Sequence, residues 1–72
     1  MNIQLRKSLG ESLKIARDKE KLTQAEVAKF AKIHVNYYAR IERGIENPTF
    51  EKLYRILKAL RLKALDISTY TD

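Results

Sequence analysis

The sequence predicts an all-α fold of five short helices. Three observations carry this expectation. Helix-forming residues dominate a chain of 72 residues, in which two glycines and one proline are the only strong breakers. Apolar residues recur at steps of three and four along most of its length. Residues suited to helix N-caps, Thr23, His34 and Thr49, stand just ahead of apolar runs.

The first helix is expected over residues 5–20, where Leu5, Leu9, Leu13 and Ala16 form one stripe. Lys7, Lys14, Arg17, Asp18 and Lys19 mostly fill the opposite side. Lys19-Glu20-Lys21 ends this helix without a glycine, and Leu22 points inward ahead of a new start. Thr23 caps the second helix, with Glu26 completing a capping box and Val27, Ala28 and Ala31 as its inner face. Lys32-Ile33 makes the turn. His34 caps a third helix from 35 to about 43, with Tyr38 and Ile41 inward and small Ala39 beside them.

Gly44 supplies the positive-φ residue that ends the third helix, and residues 45–48 form the one convincing loop, closed by Pro48. Thr49 caps a fourth helix carrying Phe50, Leu53, Ile56, Leu57 and Leu60 at helical spacing. Leu62, Leu65 and Ile67 suggest a short fifth helix before the polar tail from Ser68 to Asp72. Residues 1–72 read as a single domain, with no linker, repeat or low-complexity segment.

Composition narrows the function. At this length stability is marginal, and a second subunit is a natural way to cover leftover apolar surface. Fifteen Lys and Arg against nine Asp and Glu leave a net charge of +6, a field that attracts polyanions. The basic residues are spread among capped helices and do not form one amphipathic face, which argues against a membrane surface. The N-terminus has no apolar signal region and no stretch of 18 apolar residues occurs, so a cytoplasmic protein is expected.

Without cysteine, disulfides and thiolate metal sites are excluded. One histidine, no phosphate-cradling glycine run and no convergent carboxylate pair leave an enzymatic reading without support. No catalytic residue, metal, cofactor or small-molecule ligand is expected.

The stretch from Gln24 to Ile41 is the most informative in the chain. Two short helices joined by so tight a turn must cross closely, and Ala28 is the small residue at the crossing. Val35, Asn36, Ala39 and Arg40 are then presented together on the outer face of the third helix. This layout sets one helix on a DNA backbone and the next in the major groove.

The residues Leu9-Gly10, Arg17, Leu22-Thr23-Gln24, Val27-Ala28, and Tyr37 through Gly44 give the chain a recognisable pattern, continued by Asn47-Pro48-Thr49, Leu53 and Leu60. Over residues 9–67 the chain resembles the Cro/phage-repressor (Xre-like) helix-turn-helix family. The resemblance implies a compact lambda-repressor-like domain whose helix-turn-helix is formed by helices two and three. It also implies roles by position. Gln24 would bond a phosphate at a helix N-terminus, and Tyr37 and Arg43 would hold phosphates at either end of the recognition helix. His34, Val35, Asn36 and Arg40 would face base edges, where Asn36 suits adenine, Arg40 guanine and Val35 a thymine methyl. Arg17 and Glu42 fall where the family carries a structural ion pair.

Three residues depart from the family pattern. Lys21 and Lys32 stand where glycine is usual, and Tyr38 replaces Ile or Val, so its hydroxyl needs a partner or water. Plainer readings remain beside the functional ones. His34 reads first as an N-cap, Gln24 as a solvated first-turn residue, Tyr37 as apolar cover, and Val35, Asn36 and Arg40 as ordinary surface. Ile15 and Phe30 fall on positions the family usually leaves polar, which makes them candidates for a partner surface.

The leading expectation is a sequence-specific, double-stranded DNA-binding transcriptional regulator or repressor, acting as a homodimer on a near-palindromic operator. One recognition helix reads only about four or five base pairs, and a two-fold pair reads twice as many. Leu57, Leu62, Leu65 and Ile67 are the expected dimer interface. The alternative is a protein-interaction module, such as an antitoxin with secondary DNA binding. A stand-alone chain of this length is similar to phage repressors, restriction-modification controller proteins and antitoxins alike.

Overall fold

The computed structural model describes residues 1–61, which hold four helices: α1 (Ile3–Lys19), α2 (Gln24–Ala31), α3 (Val35–Glu42) and α4 (Phe50–Ala59). Helices are thus the one regular element among the described residues, four where five were expected. The stretch assigned to a fifth, Leu62 to Ile67, lies outside the described residues.

Each helix starts on a side-chain cap. Asn2 accepts a hydrogen bond from the Leu5 amide at 2.8 Å, which starts α1 earlier than the apolar stripe suggests. Thr23 and Glu26 close the expected capping box, with bonds of 3.0 and 2.8 Å. His34 Nδ1 accepts from the Asn36 amide at 3.0 Å, and Thr49 Oγ1 from Lys52 at 3.2 Å.

The helix ends explain the missing glycines. Lys21 (φ 57°), Lys32 (φ 58°) and Arg61 (φ 57°) all adopt the left-handed conformation, as does Gly44 (φ 77°). At α1 the Lys21 amide donates to Asp18 O at 3.0 Å and the Leu22 amide to Arg17 O at 3.1 Å, a reversal that turns Leu22 inward. The Ile33 amide repeats this pattern onto Ala28 O after α2. A non-glycine residue in this conformation costs about 1 kcal/mol. Each of the three is an exposed cation beside a helix C-terminus, where the macrodipole favours positive charge and offsets part of that cost.

The core comprises Leu13, Ala16, Val27, Ala28, Ala31, Tyr38, Ile41, Ile56, Leu57 and Leu60, flanked by Leu9, Leu22, Ile33, Tyr37, Leu53 and Ala59. It forms where α2 packs on α4 and on α3, and α1 on α3. Gly10 is buried at the α1–α3 crossing, where a Cβ atom would overlap the backbone carbonyls of Ile41 and Glu42. Two expected core residues lie outside it. Leu5 is 55% exposed, because the first turn of α1 faces α3 through Arg6 and Lys7, which pack on Gly44. Phe50 is 66% exposed in the first turn of α4, ahead of that helix's buried segment.

Candidate nucleic-acid interface

A charged lock joins the helices that build this face. Glu42, in the last turn of α3, has a side chain only 4% exposed and accepts two bonds from Arg17, Nε at 2.7 Å and Nη2 at 3.1 Å. Arg17 Nη1 also donates to Leu22 O at 3.0 Å, which ties the chain between α1 and α2 into the same pair. The side-chain Nε2 of Gln24 donates to Glu42 Oε1 at 2.8 Å, a third member that the sequence did not disclose. Burial alone would favour the neutral Glu42 carboxyl. Hydrogen bonds from Arg17 and Gln24, with the nearby Tyr38 hydroxyl, outweigh that and hold its pKa below the ordinary carboxylate value.

Beneath the lock, Tyr38 is fully buried, and its hydroxyl lies close to Glu42 and Arg17. It makes no bond within ordinary hydrogen-bond geometry to either, so its interaction with them is electrostatic. Burial, reinforced by the Glu42 charge, pushes its pKa strongly upward and keeps it neutral.

This lock places Gln24 at the N-terminus of α2. The capping box uses the amides of Thr23 and Glu26, leaving those of Gln24 and Ala25 without an intrahelical acceptor, an arrangement suited to an anion. Because the Gln24 carboxamide is held by Glu42, the donors it leaves open on that face are its backbone amide and its remaining side-chain N–H.

On the outer face of α3, His34, Val35 and Asn36 are exposed and Arg40 is half-exposed. His34 serves as the N-cap of α3, which commits Nδ1 and leaves Nε2 outside the cap. Tyr37 is half-buried against the core, with its ring 4.7 Å from Lys52 Nζ and 5.9 Å from Arg40 Cζ. Burial, chiefly, and the Glu46 charge raise the pKa of its hydroxyl, which stays a neutral donor. Arg43 is exposed at the far end of α3. The structure therefore gathers Gln24, His34, Val35, Asn36, Tyr37, Arg40 and Arg43 along α3 and the start of α2.

Two participants escaped the sequence reading. Lys52 comes to the face from α4, and Glu46 bonds Arg40 Nε at 3.0 Å across the turn at Gly44. A carboxylate six positions after an arginine, across a helix-ending glycine, is the one signal that points to the second. Of the expected dimer residues, Leu57 is 6% exposed and sits with Ile56 and Leu60 in the chain's own core. Leu62, Leu65 and Ile67 lie outside the described residues. Ile15 and Phe30 are 60% and 64% exposed. No helix among the described residues is long and apolar enough to cross a membrane.

A short capped helix, a tight left-handed turn and a second helix with an open outer face define a helix-turn-helix protein. Comparison with known proteins agrees, since the family described as "Helix-turn-helix" matches residues 13–67. The chain belongs to this helix-turn-helix, Xre-like family of DNA-binding transcriptional regulators. It is 34% identical over 68 residues to an uncharacterized HTH-type transcriptional regulator, y4dJ, of Sinorhizobium fredii, covering 94% of this chain and 88% of that one. Its fold is similar to that of a substituted form of the restriction-modification controller protein C.Esp1396I. The TM-score is 0.82 at 23% identity, covering 97% of this chain and 89% of the other.

Proposed function

We propose that this chain is a cytoplasmic, single-domain transcriptional regulator that reads a near-palindromic operator as a homodimer. The observation that carries this reading is the open outer face of α3. His34, Val35, Asn36 and Arg40 stand side by side there, flanked by phosphate-suited groups at Gln24, Tyr37 and Arg43. In this reading Asn36 and Arg40 select bases, Val35 packs on a thymine methyl, and His34 presents Nε2 beside them. The first-turn amides of α2, the Tyr37 hydroxyl and Arg43 fix the register on the backbone.

A single α3 specifies too few base pairs to mark one genomic site, which supports a two-fold pair with recognition helices about 34 Å apart. The pairing surface is assigned to Leu62, Leu65 and Ile67, while Leu57 lies in the chain's own core.

Selection of bound sequences from random duplex DNA tests the reading. Enrichment of an inverted repeat, with half-sites about one helical turn or a multiple apart, is the expected result. Enrichment of an unpaired half-site would remove the dimer, and the absence of any enriched sequence would remove specific recognition. Affinity for the selected site should also fall steeply as salt rises, because each phosphate contact releases counterions.

A further inference from the structure

The partner of Arg40 bears on how a small basic protein avoids sticking to every duplex. Arg40 Nε donates to Glu46 Oε1 at 3.0 Å. The same turn binds the backbone of Arg40: the Ile45 amide donates to Arg40 O at 3.0 Å and the Glu46 amide to the same oxygen at 3.3 Å. Gly44, at φ 77°, produces this fold-back, which brings a residue six positions later onto the side chain of Arg40. The Tyr37 ring flanks the guanidinium at 5.9 Å.

The pair is too exposed to matter much for stability, with side chains 41% and 32% accessible. Its geometry is informative on other grounds. A guanidinium has five N–H donors, and the one on Nε is committed to Glu46. The four on Nη1 and Nη2 remain, in the fork that matches the O6 and N7 acceptors of guanine. A carboxylate at this point is also repelled by phosphates, so it penalises any pose in which Arg40 merely joins the backbone contacts.

We propose that Glu46 is a positioning residue that holds Arg40 by Nε, directs its Nη fork at a guanine edge in the major groove, and keeps it off neighbouring phosphates. This inference rests on the reading of the α3 outer face as the base-reading surface. Glu46 thereby exchanges non-specific affinity for discrimination at one base pair of each half-site.

The test compares the full chain with Glu46→Ala, Glu46→Gln, Arg40→Ala and the Arg40→Ala/Glu46→Ala double variant. Binding is measured on the selected operator, on its single-base substitutions and on random duplex DNA across a salt series. Glu46→Ala should lose about tenfold of the guanine preference at one position of each half-site. Its log–log salt slope on random duplex should steepen by about 0.9 per subunit as Arg40 becomes a phosphate contact. Glu46→Gln keeps an acceptor oxygen with the same loss of charge, so it should retain more of the preference than Glu46→Ala. The double variant should reproduce the base preferences of Arg40→Ala.

If Glu46→Ala tightens every sequence alike and leaves the guanine preference intact, the carboxylate acts through charge alone and the positioning role is overturned. If Arg40→Ala itself leaves the preferences unchanged, the base-reading assignment of Arg40 fails and takes the proposal with it.

Discussion

Replacing Arg17 with Met strips the α1–α3 lock of its cation while keeping much of the side-chain volume. The substitution removes the bonds to Glu42 Oε2 at 2.7 Å and Oε1 at 3.1 Å, and the bond to Leu22 O at 3.0 Å. What remains is a carboxylate 4% exposed with a single described donor, Gln24, at 2.8 Å. Breaking one side of a buried pair costs about 3–5 kcal/mol. Arg17 retains 12% exposure and Gln24 still compensates, which places the expected loss near the lower bound, about 3 kcal/mol.

A domain of this length has about 4–11 kcal/mol of stability in total. The substitution should therefore lower the melting temperature by about 12–24 °C. Urea denaturation followed by helical circular dichroism measures the loss directly, provided the denaturant slope is unchanged. The double variant Arg17→Met/Glu42→Leu should recover most of it, because no unpaired charge is left behind. A loss below about 0.5 kcal/mol for Arg17→Met would match an ordinary surface position and refute the account. So would a double variant whose loss equals the sum of the two single ones, since that shows no coupling.

Three further outcomes are expected. Glu42 titrates below its unfolded value in the folded chain, so its contribution is complete above the ordinary carboxylate range and disappears as pH falls through the folded value. Denaturation midpoints should drop on acidification, and Glu42→Gln should make that dependence shallower. Lys32→Gly should raise stability by up to about 0.6 kcal/mol, because the relief of left-handed strain at φ 58° exceeds the added freedom of the unfolded chain; a lower melting temperature would show that this turn carries no such strain. Gly10→Ala should lower the melting temperature by well over the few degrees of an ordinary helix-surface change, since a methyl there meets the Ile41 and Glu42 carbonyls. An unchanged melting temperature would show that α1 shifts off α3 at no cost.

Much of the fold was legible because its signals are local. A cap and its helix lie within one turn, so Thr23 with Glu26, His34 and Thr49 announced α2, α3 and α4 from residue type alone. The left-handed helix ends were harder to read, because Lys21, Lys32 and Arg61 carry side chains that disfavour the conformation they adopt. Periodicity likewise named the central core residues correctly but overran its ends at Leu5 and Phe50. A stripe continues along a helix whether or not a neighbouring element is there to cover it.

By itself, the sequence determined the helical class, the placement of the helix-turn-helix and the residue types on its outer face. These follow from the 3.6-residue period, the caps and the steric needs of a tight turn, all of which act over a few positions. Beyond the Arg17–Glu42 pair that the family resemblance implied, only the tertiary structure decided which polar and charged groups meet. Gln24 reaches Glu42 from another helix, Lys52 reaches the Tyr37 ring from α4, and Glu46 reaches Arg40 because Gly44 reverses the chain. Leu57 lies in the core for the same kind of reason: burial is set by what packs opposite a residue, not by its own spacing. Electrostatic and packing partners are chosen by distance in space, and a helix period carries no record of that distance.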